Sequence, residues 1–388
     1  MVLPSDYEAL DQNRMTVVFF HVAGLDLLNA LDQIDTNEVV EWIYAQQVTP
    51  PQTRSSTLPD DVSSEVSVDG KWKASLGQLA PTGLDLPEGV CGFRGGPFCG
   101  ACYDVSGEDR GEALPYDYGH LAFTYAALAT LAVCGDDLSR INKDAILTSL
   151  SSLQMEDGSF RPLAHESEND MRFLYTATAV AFMLDSLDAL DVDAAVGYIL
   201  NSICWDGGIG QGPMEESHAG STFCAIGTLR MLGKLDALSP TQAARLIEWL
   251  VARQQFGFQG RPNKKTDTCY SYWVGASLAM LDAYPFVDIP TNSSYVLSTQ
   301  QAIGGLAKWP DHHPDPLHTH LGLCGLSLLG VASDFLKPIN PALGISAAAA
   351  DAAFSPLPPL SSPFVELSPT PTTTATATDP DPDAPEEQ

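Results

Sequence analysis

Arg253-Gln254-Gln255-Phe256-Gly257-Phe258-Gln259-Gly260 closes a helix-like run on a glycine turn, and Tyr272-Trp273-Val274-Gly275-Ala276-Ser277-Leu278-Ala279-Met280-Leu281 follows as a second, Ala- and Leu-rich run. This pair decides the architecture because it recurs. Glycine-bearing turns stand at Cys91-Gly92-Phe93-Arg94-Gly95, Asp157-Gly158-Ser159-Phe160, Asp206-Gly207-Gly208-Ile209 and Ile303-Gly304-Gly305-Leu306. From Gly158 onward the period is about fifty residues, the signature of stacked helical repeats. Most turns follow a run ending near Gln, as at Leu153-Gln154 and Thr299-Gln300-Gln301. The second runs are Tyr175 to Leu187, Ser221 to Leu232, Tyr272 to Leu281 and Leu317 to Leu329. A lone helix pair cannot bury its apolar stripes, so neighbouring pairs stack. The chain reads as all-α. Its chemistry-bearing residues gather where each turn enters the second helix, and helix N-termini there favour an anion.

Composition narrows the function. A 45% hydrophobic chain of 388 residues can bury a large core, and a repeat makes it one domain rather than several. The formal charge of −30 repels nucleic acid and anionic membrane alike, so any positive pocket is local and built deliberately. Met1-Val2-Leu3-Pro4-Ser5-Asp6 lacks a signal pattern, and no run of roughly 18 apolar residues exists to span a bilayer. A cytoplasmic protein is therefore expected, without stable membrane insertion. Cys91, Cys99, Cys102, Cys134, Cys204, Cys224, Cys269 and Cys324 then read as reduced thiols, with Cys224 and Cys324 as small core residues. Residues 49–87 are rich in Ser, Pro and Asp and read as an insertion loop. Residues 1–340 form the repeat domain, and 341–388 read as a disordered, low-complexity acidic tail.

Two segments carry chemistry. Gly260-Arg261-Pro262-Asn263-Lys264-Lys265-Thr266-Asp267-Thr268-Cys269-Tyr270-Ser271-Tyr272-Trp273 joins cations, a carboxylate, a thiol and aromatics. Asp315-Pro316-Leu317-His318-Thr319-His320 adds an imidazole. Asp, Cys and His make a three-ligand zinc site with one open position, the catalytic rather than the closed structural type. Arg261 and Lys264 could hold an anion and aromatics could wall an apolar group. Together these imply chemistry on a phosphorylated lipid.

With Ile43-Tyr44, Gln46-Gln47, Cys91-Gly92-Phe93-Arg94-Gly95, Gly135-Asp136-Asp137-Leu138-Ser139-Arg140, Glu168-Asn169-Asp170-Met171-Arg172-Phe173 and Glu216-Ser217-His218, these segments form a colinear set from Arg14 to Asn340. The set resembles the β subunits of protein prenyltransferases, most closely those of protein geranylgeranyltransferase type I. The resemblance implies an α/α barrel (toroid): an inner ring of parallel helices, an outer antiparallel ring, and an apolar central funnel. It implies an obligate α-subunit partner, and a longer N-terminal part with an opening outer helix.

The resemblance also assigns roles. Asp267, Cys269 and His318 match the zinc ligands, one Zn2+ per chain. His218, Arg261, Lys264 and Tyr270 match residues that hold the diphosphate of geranylgeranyl diphosphate, with Trp273 as an aromatic wall. Ala219 stands where the family usually has glycine. Lys308, in Gly305-Leu306-Ala307-Lys308-Trp309-Pro310, matches the lysine that replaces a magnesium-binding carboxylate of farnesyltransferase, so Mg2+ should be dispensable. Thr16 and Leu321 match positions that set funnel length; a small Thr16 admits a fourth isoprene unit, and Leu321 replaces a family Phe. His120, Glu168 and Arg172 match the set that reaches the substrate's C-terminal carboxylate through a water. The implied substrates are Rho/Rac-type small GTPases ending in Cys-a-a-X, with X Leu-like.

Rival readings are a farnesyltransferase or Rab-type subunit, a triterpene cyclase and a non-catalytic helical scaffold. Lys308 and Thr16 disfavour the farnesyl enzyme. The Glu168-Asn169-Asp170-Met171 wording disfavours the Rab type. The cyclase needs an Asp-x-Asp-Asp motif that the sequence lacks. A scaffold leaves the Asp267, Cys269 and His318 grouping without purpose.

Overall fold

The computed structural model describes residues 10–49, 90–97, 118–163, 167–331 and 333–359. Apart from Thr49, the 49–87 insertion lies outside them, as do Cys99 and Cys102. Helices alternate between two kinds. α1 (Arg14–Leu27), α3 (Leu121–Val133), α5 (Met171–Met183), α7 (Ala219–Met231), α9 (Tyr270–Met280) and α11 (Pro316–Leu329) form the more buried set, with α3, α5, α7 and α9 buried on nearly every side. In α5, every residue but Arg172 is buried. A helix apolar all round must be enclosed by others. Each of these six packs on the next, and α11 returns to α1, closing a ring.

Between them run α2 (Thr36–Tyr44), α4 (Lys143–Leu153), α6 (Val192–Asn201), α8 (Pro240–Val251) and α10 (Ile289–Ser298). These bury one stripe only. In α8 the stripe is Ala243, Leu246, Ile247, Trp249 and Leu250, the i, i+3, i+4 spacing of an amphipathic helix. They form the outer layer of a two-layer α/α toroid.

Caps fix the boundaries. The outer helices start on Asp35, Asn142, Asp191, Ser239 and Asp288, with a full capping box between Ser239 and Gln242. The inner helices α3, α5, α7 and α11 start on His120, Asp170, His218 and Asp315, whose side chains each accept a backbone N–H. The runs expected from Tyr175, Ser221, Tyr272 and Leu317 accordingly begin a little earlier, at Met171, Ala219, Tyr270 and Pro316.

The Gln that ends an outer run also has a task. Gln154 donates from Nε2 to the Asp191 carbonyl (2.9 Å) and accepts the Asp191 N–H (2.8 Å). Gln254 does the same at Asp288, at 2.8 and 2.9 Å. Each amide clasps the cap of the next outer helix, so the repeat holds its register. The turns at Gly158, Gly207 and Gly257 then butt on that same neighbour. At Gly207 (φ +100°) a Cβ would come within 2.7 Å of the Arg245 carbonyl of α8, so both conformation and space demand glycine.

Among the described residues, four short strands form two antiparallel pairs: β1 (Gln47–Val48) with β2 (Gly92–Phe93), and β3 (Ile339–Asn340) with β4 (Ile345–Ser346). The second pair corrects the sequence reading of 341–388 as a disordered tail for residues 341–359, and 360–388 lie outside the described residues. Ala342, Leu343 and Ile345 are completely buried, and α12 (Ala347–Ala353) packs on α3. Composition misled because the ordering comes from the barrel, not from the segment. Tyr125, Tyr175 and Tyr272, on α3, α5 and α9, donate hydroxyls to the carbonyls of Leu343 (2.5 Å), Ala342 (2.7 Å) and Pro341 (3.1 Å). Residues 341–343 thus lie across the ring and floor the barrel at the level of these three tyrosines.

No helix among the described residues is long and apolar enough to cross a membrane.

A chain ending at residue 359 should unfold as the full chain does, whereas one ending at Pro338 should lose roughly 5 kcal/mol or more, from burial of Leu343, Ile345 and Phe354 at about 1.5–3 kcal/mol each. Urea denaturation of the two truncations checks this; equal midpoints would remove the floor from the fold.

Candidate active site and metal centre

The turns deliver their residues to the N-terminal rim of the inner helices. Asp267 and Cys269 enter α9, with Cys269 at its N-cap, and His318 lies in the first turn of α11. Thr268 stitches these entries together. Its N–H donates to the Lys308 carbonyl (2.9 Å), and its hydroxyl reaches the carbonyls of Ala307 (2.7 Å) and Lys308 (3.0 Å). The sequence reading missed Thr268; a hydroxyl between two ligands was the available signal.

One donor atom each from Asp267, Cys269 and His318 lies within 4.8 Å of the others, and among the described residues this is the group that could hold a metal ion. His318 Nε2 faces Asp267 Oδ1 at 3.2 Å. Its Nδ1 is held by Asp315 Oδ2 at 2.6 Å, and Asp315 also caps α11 through the His318 N–H (2.9 Å). Fixing one ring nitrogen by a carboxylate aims the other at the ion. Asp315 is thus an orienting residue that the sequence reading quoted but did not assign. Burial opposes a charged imidazole at His318, but Asp267 and Asp315 outweigh it and push the group up to about 9. Burial, then the neighbouring Asp267, pushes the Cys269 thiol well above its ordinary range. Both groups therefore favour their protonated forms, and a bound cation would displace those protons. Oxygen, sulfur and nitrogen donors in this count fit Zn2+ with one position open.

The expected anion-binding residues surround the triad. Lys308 Nζ stands 3.5 Å from Asp267 and 4.9 Å from the centre of the Trp309 ring. Arg261 pairs with Glu216 at 2.5 Å. Tyr270 and His218 meet at 3.1 Å, hydroxyl to Nε2. Burial, then Arg261, lowers the His218 imidazole, disfavouring its charged form. Lys264 is exposed on the same turn, its N–H on the Arg261 carbonyl (3.3 Å). Gly260 makes room for this group, since a Cβ there would lie 2.2 Å from the Tyr270 ring. Ala219, where the family usually has glycine, is buried at the start of α7 and donates its N–H to the Gly260 carbonyl (2.7 Å). The substitution leaves the local backbone intact.

Two steps round the ring, Arg172 forks onto Asp170 at 2.6–3.1 Å and reaches Glu168 at 2.9 Å. His120 caps α3 and stacks on Phe123, with ring centres 4.7 Å apart. Burial drives its imidazole down to about 4, against the pull of Glu168. Asp170 is a further residue without an assigned role in the sequence reading.

Below the rim runs an aromatic belt. Successive ring centres are 5.7 Å (Phe19–Tyr125), 6.0 Å (Tyr125–Tyr175), 5.3 Å (Tyr175–Phe223) and 5.2 Å (Phe223–Tyr272) apart. Trp273 joins at Phe223 (4.8 Å), and His320 meets Phe19 (5.3 Å). Tyr125, Tyr175, Phe223 and His320 all stand five residues past an inner-helix cap, a periodicity legible in the sequence but overlooked. Half-buried Thr16 and buried Leu321 lie on the adjoining helices α1 and α11.

Asp315→Ser keeps a cap but releases Nδ1 of His318. Zinc affinity, read by chelator competition, should fall roughly 10–100-fold; wild-type affinity would contradict the orienting role. A second outcome concerns pH. The folded chain resists protonating His120 until about 4, the unfolded chain only until about 6.5, so stability falls as pH drops through that window. His320, fully buried and also lowered to about 4, adds to the loss. His120→Asn keeps the cap and should recover roughly 2 kcal/mol of it between pH 7.5 and 4.5. An unchanged pH profile would remove His120 as a source.

Residues 1–345 match the model of the prenyltransferase alpha-alpha toroid domain. The chain is 36% identical over 355 residues to the geranylgeranyl transferase type-1 subunit beta of Dictyostelium discoideum, spanning 90% of this chain and 92% of that one. To the Arabidopsis thaliana subunit of the same name it is 36% identical over 360 residues, spanning 90% and 86%. The solved Candida albicans protein geranylgeranyltransferase-I complexed with GGPP superposes with a TM-score of 0.71 at 25% identity, over 90% of this chain and 93% of that one. The ring closed by α1 and α11, the outer layer and the sequence match agree: the chain belongs to the prenyltransferase alpha-alpha toroid family.

Proposed function

We propose that the chain is the catalytic β subunit of a zinc-dependent protein geranylgeranyltransferase type I. The observation that carries this reading is the convergence of Asp267, Cys269 and His318 beside Lys308, on the rim of an aromatic-lined barrel. The reaction moves a geranylgeranyl group from its diphosphate to the cysteine sulfur of a Cys-a-a-X protein, with X Leu-like and Rho/Rac-type small GTPases as the substrate class. A companion α subunit completes the enzyme, which works in the cytoplasm.

Each residue then has a task. Asp267, Cys269 and His318 would hold one Zn2+, which supplies the Lewis acidity that keeps the peptide cysteine deprotonated at neutral pH. Arg261, Lys264, Lys308, His218 and Tyr270 take the charge that gathers on the diphosphate as the C1–O bond breaks, with both its electrons leaving on oxygen, and the S–C1 bond forms. Lys308 stands 3.5 Å from Asp267, so it bridges the two halves of the site and supplies charge that Mg2+ would otherwise bring. The belt and Trp273 hold the lipid chain, and Thr16 and Leu321 leave room for its last isoprene unit. His120, Glu168 and Arg172 position the peptide carboxylate. Both substrates share one funnel, which provides orientation.

The test is transfer by the chain co-expressed with a type I α subunit, comparing geranylgeranyl with farnesyl diphosphate on Cys-a-a-Leu and Cys-a-a-Ser peptides, with and without Mg2+. Geranylgeranyl transfer to Cys-a-a-Leu should dominate and ignore Mg2+. Lys308→Asp should slow it roughly 10–100-fold, partly restored by Mg2+. Equal use of farnesyl diphosphate, or a strict Mg2+ requirement in the wild type, would overturn the type I reading.

A further inference from the structure

Beyond the Gly304-Gly305 turn, residues 307–314 form a closed loop with an indole in it. Ala307 bridges Pro314 across the base, and its N–H donates to the Thr299 carbonyl at 3.0 Å. Ala307 is fully buried, so the base is fixed. The backbone of Lys308 is fixed as well, because its carbonyl accepts the Thr268 N–H (2.9 Å) and hydroxyl (3.0 Å). Only the lysine stem is left to move, and ordering such a stem opposes its rotamer entropy. Its side chain is 45% exposed, and its ion pair with Asp267 spans 3.5 Å. A solvated pair of this kind is weak. Asp267 also belongs to the metal triad, and a carboxylate turned to an ion has less to offer a lysine. Trp309 supplies a different anchor. Lys308 Nζ stands over its indole, 4.9 Å from the centre, within the reach of roughly 6 Å over which an aromatic face attracts a cation. Lys265 Nζ stands over the same indole at 5.7 Å. His312 meets it edge to face, with centres 4.7 Å apart and planes at 69°, which steadies the plane of the indole.

Composition explains why such an anchor matters. Lysine and arginine total 19 against 49 carboxylates, so a loose lysine is drawn to a carboxylate, and Asp311 is exposed on the same loop. An aromatic face attracts an ammonium without carrying a charge that neutralises it. We propose that Trp309 is a positioning residue: its face, steadied by His312, holds Lys308 toward the metal triad, where the departing diphosphate gathers charge. Trp309 itself touches neither the ion nor the substrate in this role. A lysine replaces a divalent cation well only when its charge is already in place before the bond breaks. The indole provides that placement. The inference rests on the β-subunit reading and deepens it, because it names what keeps the charge of Lys308 at the site.

The test uses the full chain co-expressed with a type I α subunit and follows single-turnover transfer from geranylgeranyl diphosphate to a Cys-a-a-Leu peptide. Trp309→Leu, or Trp309→Gln if the first variant is unstable, should slow transfer roughly 3–30-fold. Affinity for geranylgeranyl diphosphate, read by fluorescence titration, should fall less than the rate, and zinc content and melting temperature should stay at wild-type values. Trp309→Tyr keeps an aromatic face and should recover most of the rate. In a Lys308→Met background, Trp309→Leu should change nothing further, since the two side chains act as one unit. Additive losses in that double variant overturn the positioning role. So do equal rates for Trp309→Tyr and Trp309→Leu, or loss of zinc in Trp309→Leu. Each of these results leaves the β-subunit reading standing. A wild-type rate in Lys308→Met alone would overturn the inference by removing the charge to be positioned. If the folded wild type transfers no lipid to the peptide, the β-subunit reading falls and takes the inference with it.

Discussion

Everything in this molecule depends on closing six helices into a ring. Each inner helix is apolar on almost all sides, and α5 exposes little besides Arg172. Such a helix has no stable surface position. Curving the row until α11 meets α1 buries the faces that an open stack would leave at its ends. Closure then creates an inside. The residues that point inward are fixed by helix phase, and the rim is fixed by where the caps fall.

The caps explain why chemistry collects at one rim and packing at the other. A helix N-terminus needs acceptors for its free N–H groups, and here those acceptors are His120, Asp170, His218 and Asp315. Capping thus brings polar, titratable side chains to one edge of a greasy cylinder. Asp315 shows the economy of this arrangement, since one carboxylate ends a helix and orients His318. Inside the ring, below those caps, the well is stopped by backbone. Three tyrosine hydroxyls satisfy the carbonyls of residues 341–343, which would otherwise be buried without partners. The result is a closed well with a polar mouth, a middle of stacked rings and a hydrogen-bonded floor. On a chain of formal charge −30, Arg261, Lys264, Lys265 and Lys308 make that mouth a local exception.

Much of this was legible in the sequence. Glycine turns at a fifty-residue period gave helix pairs because glycine does what no other residue can at Gly207. The grouping of Asp267, Cys269 and His318 was legible because O, S and N donors beside fixed cations are an unusual combination in so acidic a chain. The floor was not legible. Residues 341–354 are Ala-rich, and their order is imposed by Tyr125, Tyr175 and Tyr272, as much as 218 residues away. The belt was hidden for another reason: its members repeat in phase with the caps, not with the turns. Thr268 was missed because its hydrogen bonds cross between repeats, and Asp315 because a capping Asp does not by itself reveal that its second oxygen holds His318 Nδ1.

The central claim is that the mouth of the barrel holds one Zn2+ through Asp267, Cys269 and His318. Zinc K-edge X-ray absorption on the purified heterodimer addresses it most directly. The expected spectrum has one sulfur near ~2.3 Å and nitrogen or oxygen neighbours near ~2.0–2.2 Å, with the sulfur lost in Cys269→Ala. A stoichiometric zinc whose shell lacks sulfur, or keeps it in that variant, would contradict the account.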